Sequence, residues 1–285
     1  MENIKTIYVH LSPNKLPFAN ELTNSNFAFD EVPAYTQISI DQTKKITKSD
    51  CILLTKNEID DFKDELLEFF NLCKKGFPSF YKDAFWLTTL LRLYVVYLYV
   101  IKHDISSFVH IENDNLIFND YSVLKNLPEG CFFTKVGPNC GSAGFMFCNS
   151  KEKLTTTINA LKQLLKKGEI NIRPHTSYDF LSEMILIDIL IRGNKAEYLP
   201  LLPQDKYFEL TDCVFDGASY GQYIGGTNNG NDSGWYGLNH FIGQLLNQNK
   251  IQILFENNQP FVVDGEKKIK IFNLHIHSKK LSNYV

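Results

Sequence analysis

The stretch FWLTTLLRLYVVYLYV, from Phe85 to Val100, constrains this chain most. It is apolar enough to be buried along nearly all its length. It is short for a membrane span, and it carries Arg92 together with Thr88 and Thr89. The pattern predicts a long helix packed on a sheet. A short strand, FVHI (Phe108–Ile111), comes next, then Glu112-Asn113-Asp114-Asn115, and the apolar chain resumes at Leu116-Ile117-Phe118. A buried strand of an α/β sheet delivers its C-terminal loop to the crevice where ligands bind. Acids at i and i+2 in such a loop can both reach a hard divalent cation such as Mg²⁺ or Mn²⁺, with a phosphate supplying further oxygens. The plainer alternative is an acidic turn.

Composition narrows the class. A chain of 285 residues with 44% hydrophobic and 21% charged residues builds a folded α/β core, read here as one domain spanning 1–285. The net charge of -3 gives no global basic field for nucleic acid. MENIKTIYVH reads as a first strand rather than a signal sequence, so the expected location is the cytoplasm, with peripheral attachment to a membrane left open. Six cysteines lack CxxC or zinc-like spacing and read as reduced thiols.

Taken in order, Thr6–His10 is a buried strand whose tip is suited to a base or ribose. His10 there is either a ligand contact or a satisfied core histidine. Gln37–Ile40 and Ile52–Thr55 read as strands, and Glu58–Cys73 as a helix. Cys131–Lys135 and Ser142–Cys148 are strands, and Glu152–Lys167 is a helix stopped by Gly168. Asp179 to Arg192 predicts another helix, with Asp179 and Glu183 on one side and Asp179 an N-cap candidate. The Gly- and aromatic-rich run from Phe215 to Gly237 suits a loop wrapping a ligand, with Asp216 and Gln222 as its polar contacts. No GxGxxG or P-loop pattern is present. Strands near 252–255, 261–263 and 268–272 precede His275-Ile276-His277-Ser278-Lys279, where alternation puts both histidines on one side.

An apolar helix with an internal Arg, then a strand, then Glu112-x-Asp114 resembles the nucleotide-sugar-dependent glycosyltransferases of the GT-A fold. In that family an Asp-x-Asp motif ends a central strand; here Glu112 replaces the first Asp. The resemblance implies a GT-A-like, mostly parallel central sheet with helices on both faces. Residues 1–118 would be the nucleotide-binding half, 119–270 the acceptor and sugar half, and 271–285 a tail closing the site. It further implies Glu112, Asp114 and His277 as ligands to Mn²⁺ or Mg²⁺, with His275 as the fallback. Arg92 and Lys279 would meet the diphosphate, with Thr88 behind Arg92. Ser142 and Gly144 would line the donor sugar. Glu183 or Asp179 would deprotonate the acceptor in an inverting enzyme, and Asp216 or Gln222 would flank the sugar in a retaining one.

The implied activity is metal-dependent transfer of a sugar from a nucleoside-diphosphate sugar, UDP-sugar favoured, to a glycan or other hydroxyl acceptor. The alternatives are another metal-dependent nucleotidyltransferase or phosphoesterase, or a noncatalytic sugar-binding module. The tail, with little beyond Leu274, Ile276 and Leu281 to bury, is expected to be loose until donor and ion bind.

Overall fold

The computed structural model describes residues 4–12, 16, 31–78, 84–176, 181–228 and 230–285. Strand β1 (Lys5–Val9) is buried, and Tyr8 places its hydroxyl between Ser39 (3.1 Å) and Thr43 (2.8 Å) of helix α1 (Ala34–Thr47). Strand β2 (Cys51–Leu54) follows. Thr55 and Glu58 then form a capping box that opens α2 (Lys56–Asp60), and α3 (Lys63–Gly76) comes next. The apolar stretch forms α4 (Ala84–Lys102) and leads into β3 (Phe108–Ile111) and β4 (Asn115–Ile117).

Strands β5 (Cys131–Gly137) and β6 (Cys140–Cys148) form a hairpin. Helix α5 (Lys151–Lys167) starts at the Ser150 cap and stops at Gly168, which has φ +82°. The short α6 (Glu169–Ile172) precedes α7 (Glu183–Arg192), β7 (Glu197–Tyr198), α8 (Phe208–Thr211) and β8 (Cys213–Val214). Helices α9 (Ser219–Gly225) and α10 (Phe241–Asn247) lead into β9 (Ile251–Glu256), β10 (Gln259–Asp264), β11 (Lys267–Ile271) and β12 (Asn273–His275).

The central sheet runs β2-β1-β3-β6-β5-β7. Its pairs β1–β2, β1–β3 and β5–β7 are parallel, while β6 is antiparallel to both β3 and β5. This is an α/β fold with a mixed central sheet, in which β6 alone runs against the other strands. The β5–β6 hairpin allows no crossover, so its two strands must oppose. Helices α3, α4, α5 and α7 bury Leu66, Phe70, Leu90, Val95, Leu161 and Leu186 on one face. On the other face Tyr8, Val109, Phe145, Phe215 and Phe272 pack with Ile40 of α1.

A second sheet, β8-β11-β10-β9, and a two-stranded ladder, β12-β4, share a third cluster containing Leu116, Leu274, Ile276 and Leu281. The tail is therefore packed, contrary to the expected loose segment: Leu274 and Ile276 are 0% exposed and Leu281 1%. The division at 118/119 falls just after β4, whose partner β12 belongs to the tail. Gln37–Ile40, expected as a strand, lies inside α1. The buried face of α1 is largely polar (Thr36, Ser39, Thr43), so no apolar 3.6-residue period marks it.

Among the described residues, Phe85–Lys102 is the one helix long and apolar enough to cross a membrane. It packs in the core, with Leu87, Leu90, Leu91 and Val95 fully buried. All six cysteines are free thiols.

A candidate metal centre at the end of the third strand

Chain direction and register bring the site together. Glu112 leaves the end of β3 with its N–H on Gly144 O (2.9 Å), and Asp114 precedes β4. In the β4–β12 ladder Asn115 pairs with His275, and Ile276 N–H donates to Asp114 O at 2.8 Å. His275 Nε2 consequently lies 2.8 Å from Glu112 Oε2 and 3.2 Å from Asp114 Oδ1. One donor atom from each of these three residues falls within 4.8 Å of the others. Arg92 pairs with Glu112 Oε1, and Lys279 with Asp114 Oδ2.

The charges follow from this packing. Burial alone would raise the Glu112 carboxyl, but Arg92 and then His275 outweigh it and hold it at about 2. Asp114 lies well below the usual carboxylate range: burial opposes ionisation, and Lys279 and His275 overcome it. Burial would likewise lower His275, yet Asp114 and Glu112 push it well above 6.5. Its Nδ1 is 2.9 Å from Gly217 O. A carbonyl only accepts, so Nδ1 carries a proton, and Nε2, protonated where it faces the two carboxylates, is the nitrogen that would turn to an ion on losing that proton.

Asp216 organises this arrangement. It is fully buried, and its Oδ1 accepts from Ala218 N (2.9 Å) and Tyr220 N (3.0 Å). Its Oδ2 accepts from Gly221 N (2.7 Å) and His275 N (2.9 Å). With both oxygens occupied by backbone, Asp216 holds the start of α9 against β12. That differs from the sugar contact expected of it. Asn273 completes the tie, donating to Asn115 Oδ1 (2.9 Å) and Asp216 O (3.0 Å).

The remaining expected residues divide. His277 stands beside His275, ring centroids 4.3 Å apart, so the two histidines do share a side. His277 Nδ1 instead meets Gln222 Nε2 at 2.7 Å, and burial, then the His275 charge, lowers its pKa to about 3. The expected third ligand is thus replaced in the cluster by its fallback, because the ladder register sets His275 opposite Asn115. Ser142 Oγ accepts from Gly144 N (3.0 Å) and donates to Gly217 O (3.3 Å), fixing the carbonyl that His275 uses. A Cβ on Gly144 would lie 2.8 Å from His275 Nδ1, so Gly144 makes room for the imidazole.

Glu183 opens α7 and is 6% exposed; burial, with the Glu112 charge adding, raises it to about 7, against a bond from Thr89. Thr88 is half-buried one turn before Arg92. His10 lies apart from the cluster, beside Ser12 and Thr55 on a cavity of about 330 Å³ at the ends of β1 and β2. Asp179 lies outside the described residues.

Sequence reasoning missed Tyr35, whose ring lies 5.8 Å from Lys279 Nζ, because α1 was read differently. It also missed Thr89 and the positioning role of Gly217. Buried polar atoms without a partner include Arg92 Nε, Asn113 Oδ1, Glu183 Oε2, Gln222 Oε1 and Ser278 Oγ, all on residues in or next to this cluster. Such atoms are rare unless a ligand or water completes them.

No family model matches the chain, and no curated protein matches it. Among solved structures it is similar to the apo form of mouse xyloside xylosyltransferase 1, at 8% identity and a TM-score of 0.43, over 69% of this chain and 84% of that one. It is also similar to the apo form of the glycosyltransferase GlyE of Streptococcus pneumoniae TIGR4, at 10% identity and a TM-score of 0.33, over 70% of this chain and 45% of that one. Similarity at these scores decides neither fold nor chemistry, which rest on the geometry above.

Proposed function

We propose that this chain is a metal-dependent glycosyltransferase that moves a sugar from a nucleoside-diphosphate sugar, UDP-sugar favoured, to a hydroxyl acceptor. One observation carries the reading: two carboxylates and an imidazole converge at a strand end, with Arg92 and Lys279 against the same acids. Two oxygens and one nitrogen suit Mn²⁺ or Mg²⁺ completed by phosphate oxygens better than an all-nitrogen or thiolate set would. Glu112, Asp114 and His275 would hold the ion. When bound, it would neutralise charge on the diphosphate leaving group.

The chain's own residues do the rest. His275 presents Nε2 because Gly217 O holds the proton on Nδ1. Arg92 and Lys279 add positive charge where the diphosphate departs, a fork and a point charge respectively. Tyr35 packs beside Lys279, and the cavity by His10 offers room for the base. Glu183, with a pKa of about 7, is suited to take a proton from an acceptor hydroxyl at neutral pH. Gln222 Oε1 and Ser278 Oγ, buried without a partner, would bond sugar hydroxyls brought against them.

A thermal-shift panel of UDP-, GDP- and CMP-sugars, each with and without Mn²⁺, tests the reading. Stabilisation by one nucleotide class only with Mn²⁺ supports it, and no shift with any donor sinks it. Asp114→Asn should cut transfer by about 10²-fold or more with the melting temperature retained.

A further inference from the structure

The last turns of α3 and α5 meet. A Cβ on Gly76, the last residue of α3, would fall 2.0 Å from Leu165 O, and one on Gly168 would fall 3.4 Å from Gly76 O. The two last turns therefore bring the exposed pairs Lys74, Lys75 and Lys166, Lys167 together. Helix α6 adds the exposed Arg173 at its end and lifts Ile170 to 84% exposure, the highest of the large apolar side chains among the described residues. Lys75, Lys167, Arg173, Ile170 and Pro78 line a cavity of about 530 Å³. Glu169, paired with Arg173, is the one acid in this lining. Three cations, Lys75, Lys167 and Arg173, thus line one cavity of a chain whose net charge is -3, with Lys74 and Lys166 next to them in the sequence.

Basic residues in a last turn complement the helix dipole, and that accounts for each lysine pair separately. It does not account for two pairs meeting, or for an isoleucine held out in water beside them. A basic cluster around a protruding apolar side chain is what an anionic lipid surface recognises: the cations meet headgroup phosphates and the alkyl group enters the interface. We infer that this face docks on a membrane surface rich in anionic phospholipid.

The orientation is consistent with use. Helix α5 starts after Cys148, which pairs with Phe108 at the beginning of β3, and its 17 residues span about 25 Å. Its far end therefore reaches toward the strand-end side of the sheet on which Glu112 and Asp114 lie. Docking there would bring the crevice near the bilayer, so an acceptor carried on a lipid would be within reach. That last clause rests on the proposed function; the docking itself does not, and it is measured without any donor.

Sedimentation with vesicles of pure phosphatidylcholine, or with about 30% phosphatidylglycerol added, tests it at low and high salt. Binding should require the anionic lipid, fall steeply at high salt, and drop about 10-fold or more in K75E/K167E. Ile170→Ser should weaken binding at both salt concentrations. K267E/K268E, on β11 in the other sheet, should bind as the unmodified chain does, and thermal melts confirm that each variant is folded. Equal binding to both vesicle types, no binding to either, or loss in K267E/K268E with K75E/K167E unaffected would overturn the inference.

Discussion

At the residue scale, which histidine belongs to the cluster is decided by hydrogen-bond register rather than by residue type. His275 and His277 flank Ile276, two residues apart, and sequence alternation alone left either available. Only the pairing of His275 with Asn115 separates them, and that pairing joins segments about 160 residues apart in the chain. His275→Ala should weaken Mn²⁺ binding by on the order of 10-fold or more, while His277→Ala should leave it within a few-fold. Calorimetric titration of Mn²⁺ into each variant checks this, and the reverse order would restore His277 as the ligand.

Glu183 makes an independent pH prediction. Its folded carboxyl sits at about 7 against an ordinary 4.5. Between those values the folded state keeps a proton that the unfolded chain has lost, so stability falls as pH rises from about 4.5 to 7 and is level above. Glu183→Gln removes this penalty, on the order of 3 kcal/mol as an upper figure. Melting curves should show stabilisation at pH 8 and none at pH 4, and an equal gain at both would mean that the carboxyl is not held protonated.

At the scale of elements, the helix–strand–acid stretch, the β5–β6 hairpin and α5 were legible, because their apolar periods match their structures. α1 was not: a helix that buries Thr36, Ser39 and Thr43 against Tyr8 carries its signal in hydroxyl groups, which look like loop or strand chemistry in one dimension. The role of Asp216 was hidden for a similar reason. Its four backbone donors come from residues 218, 220, 221 and 275, and nothing local marks the last. Gly144→Ala probes the contact between β6 and β12. A Cβ 2.8 Å from Nδ1 must displace the His275 ring, so Mn²⁺ affinity should fall while far-ultraviolet circular dichroism is unchanged. Unaltered Mn²⁺ affinity would show that the imidazole position does not matter to the ion.

For the whole molecule, the last fifteen residues are the clearest departure from expectation. A tail with few apolar residues was expected to fray, but Ile271, Leu274, Ile276 and Leu281 lie in the third core cluster, Phe272 lies in the second, and β12 is the partner of β4. Truncation after Lys270 removes Ile271, Phe272, Leu274, Ile276 and Leu281, each 1% exposed or less. At about 1.5–3 kcal/mol each, their loss rivals the 5–15 kcal/mol that holds an ordinary domain together. The truncated chain should show no cooperative melt; a melt like that of the intact chain would contradict the packing described.

Glu112, Asp114 and His275 are proposed to form one ion site that receives a nucleoside diphosphate. Calorimetric titration of UDP into the intact chain, once in Mn²⁺ and once in EDTA, tests it most directly. Saturable binding in Mn²⁺ that disappears in EDTA and in Asp114→Asn is the predicted result. Equal UDP affinity in Mn²⁺ and EDTA would contradict it.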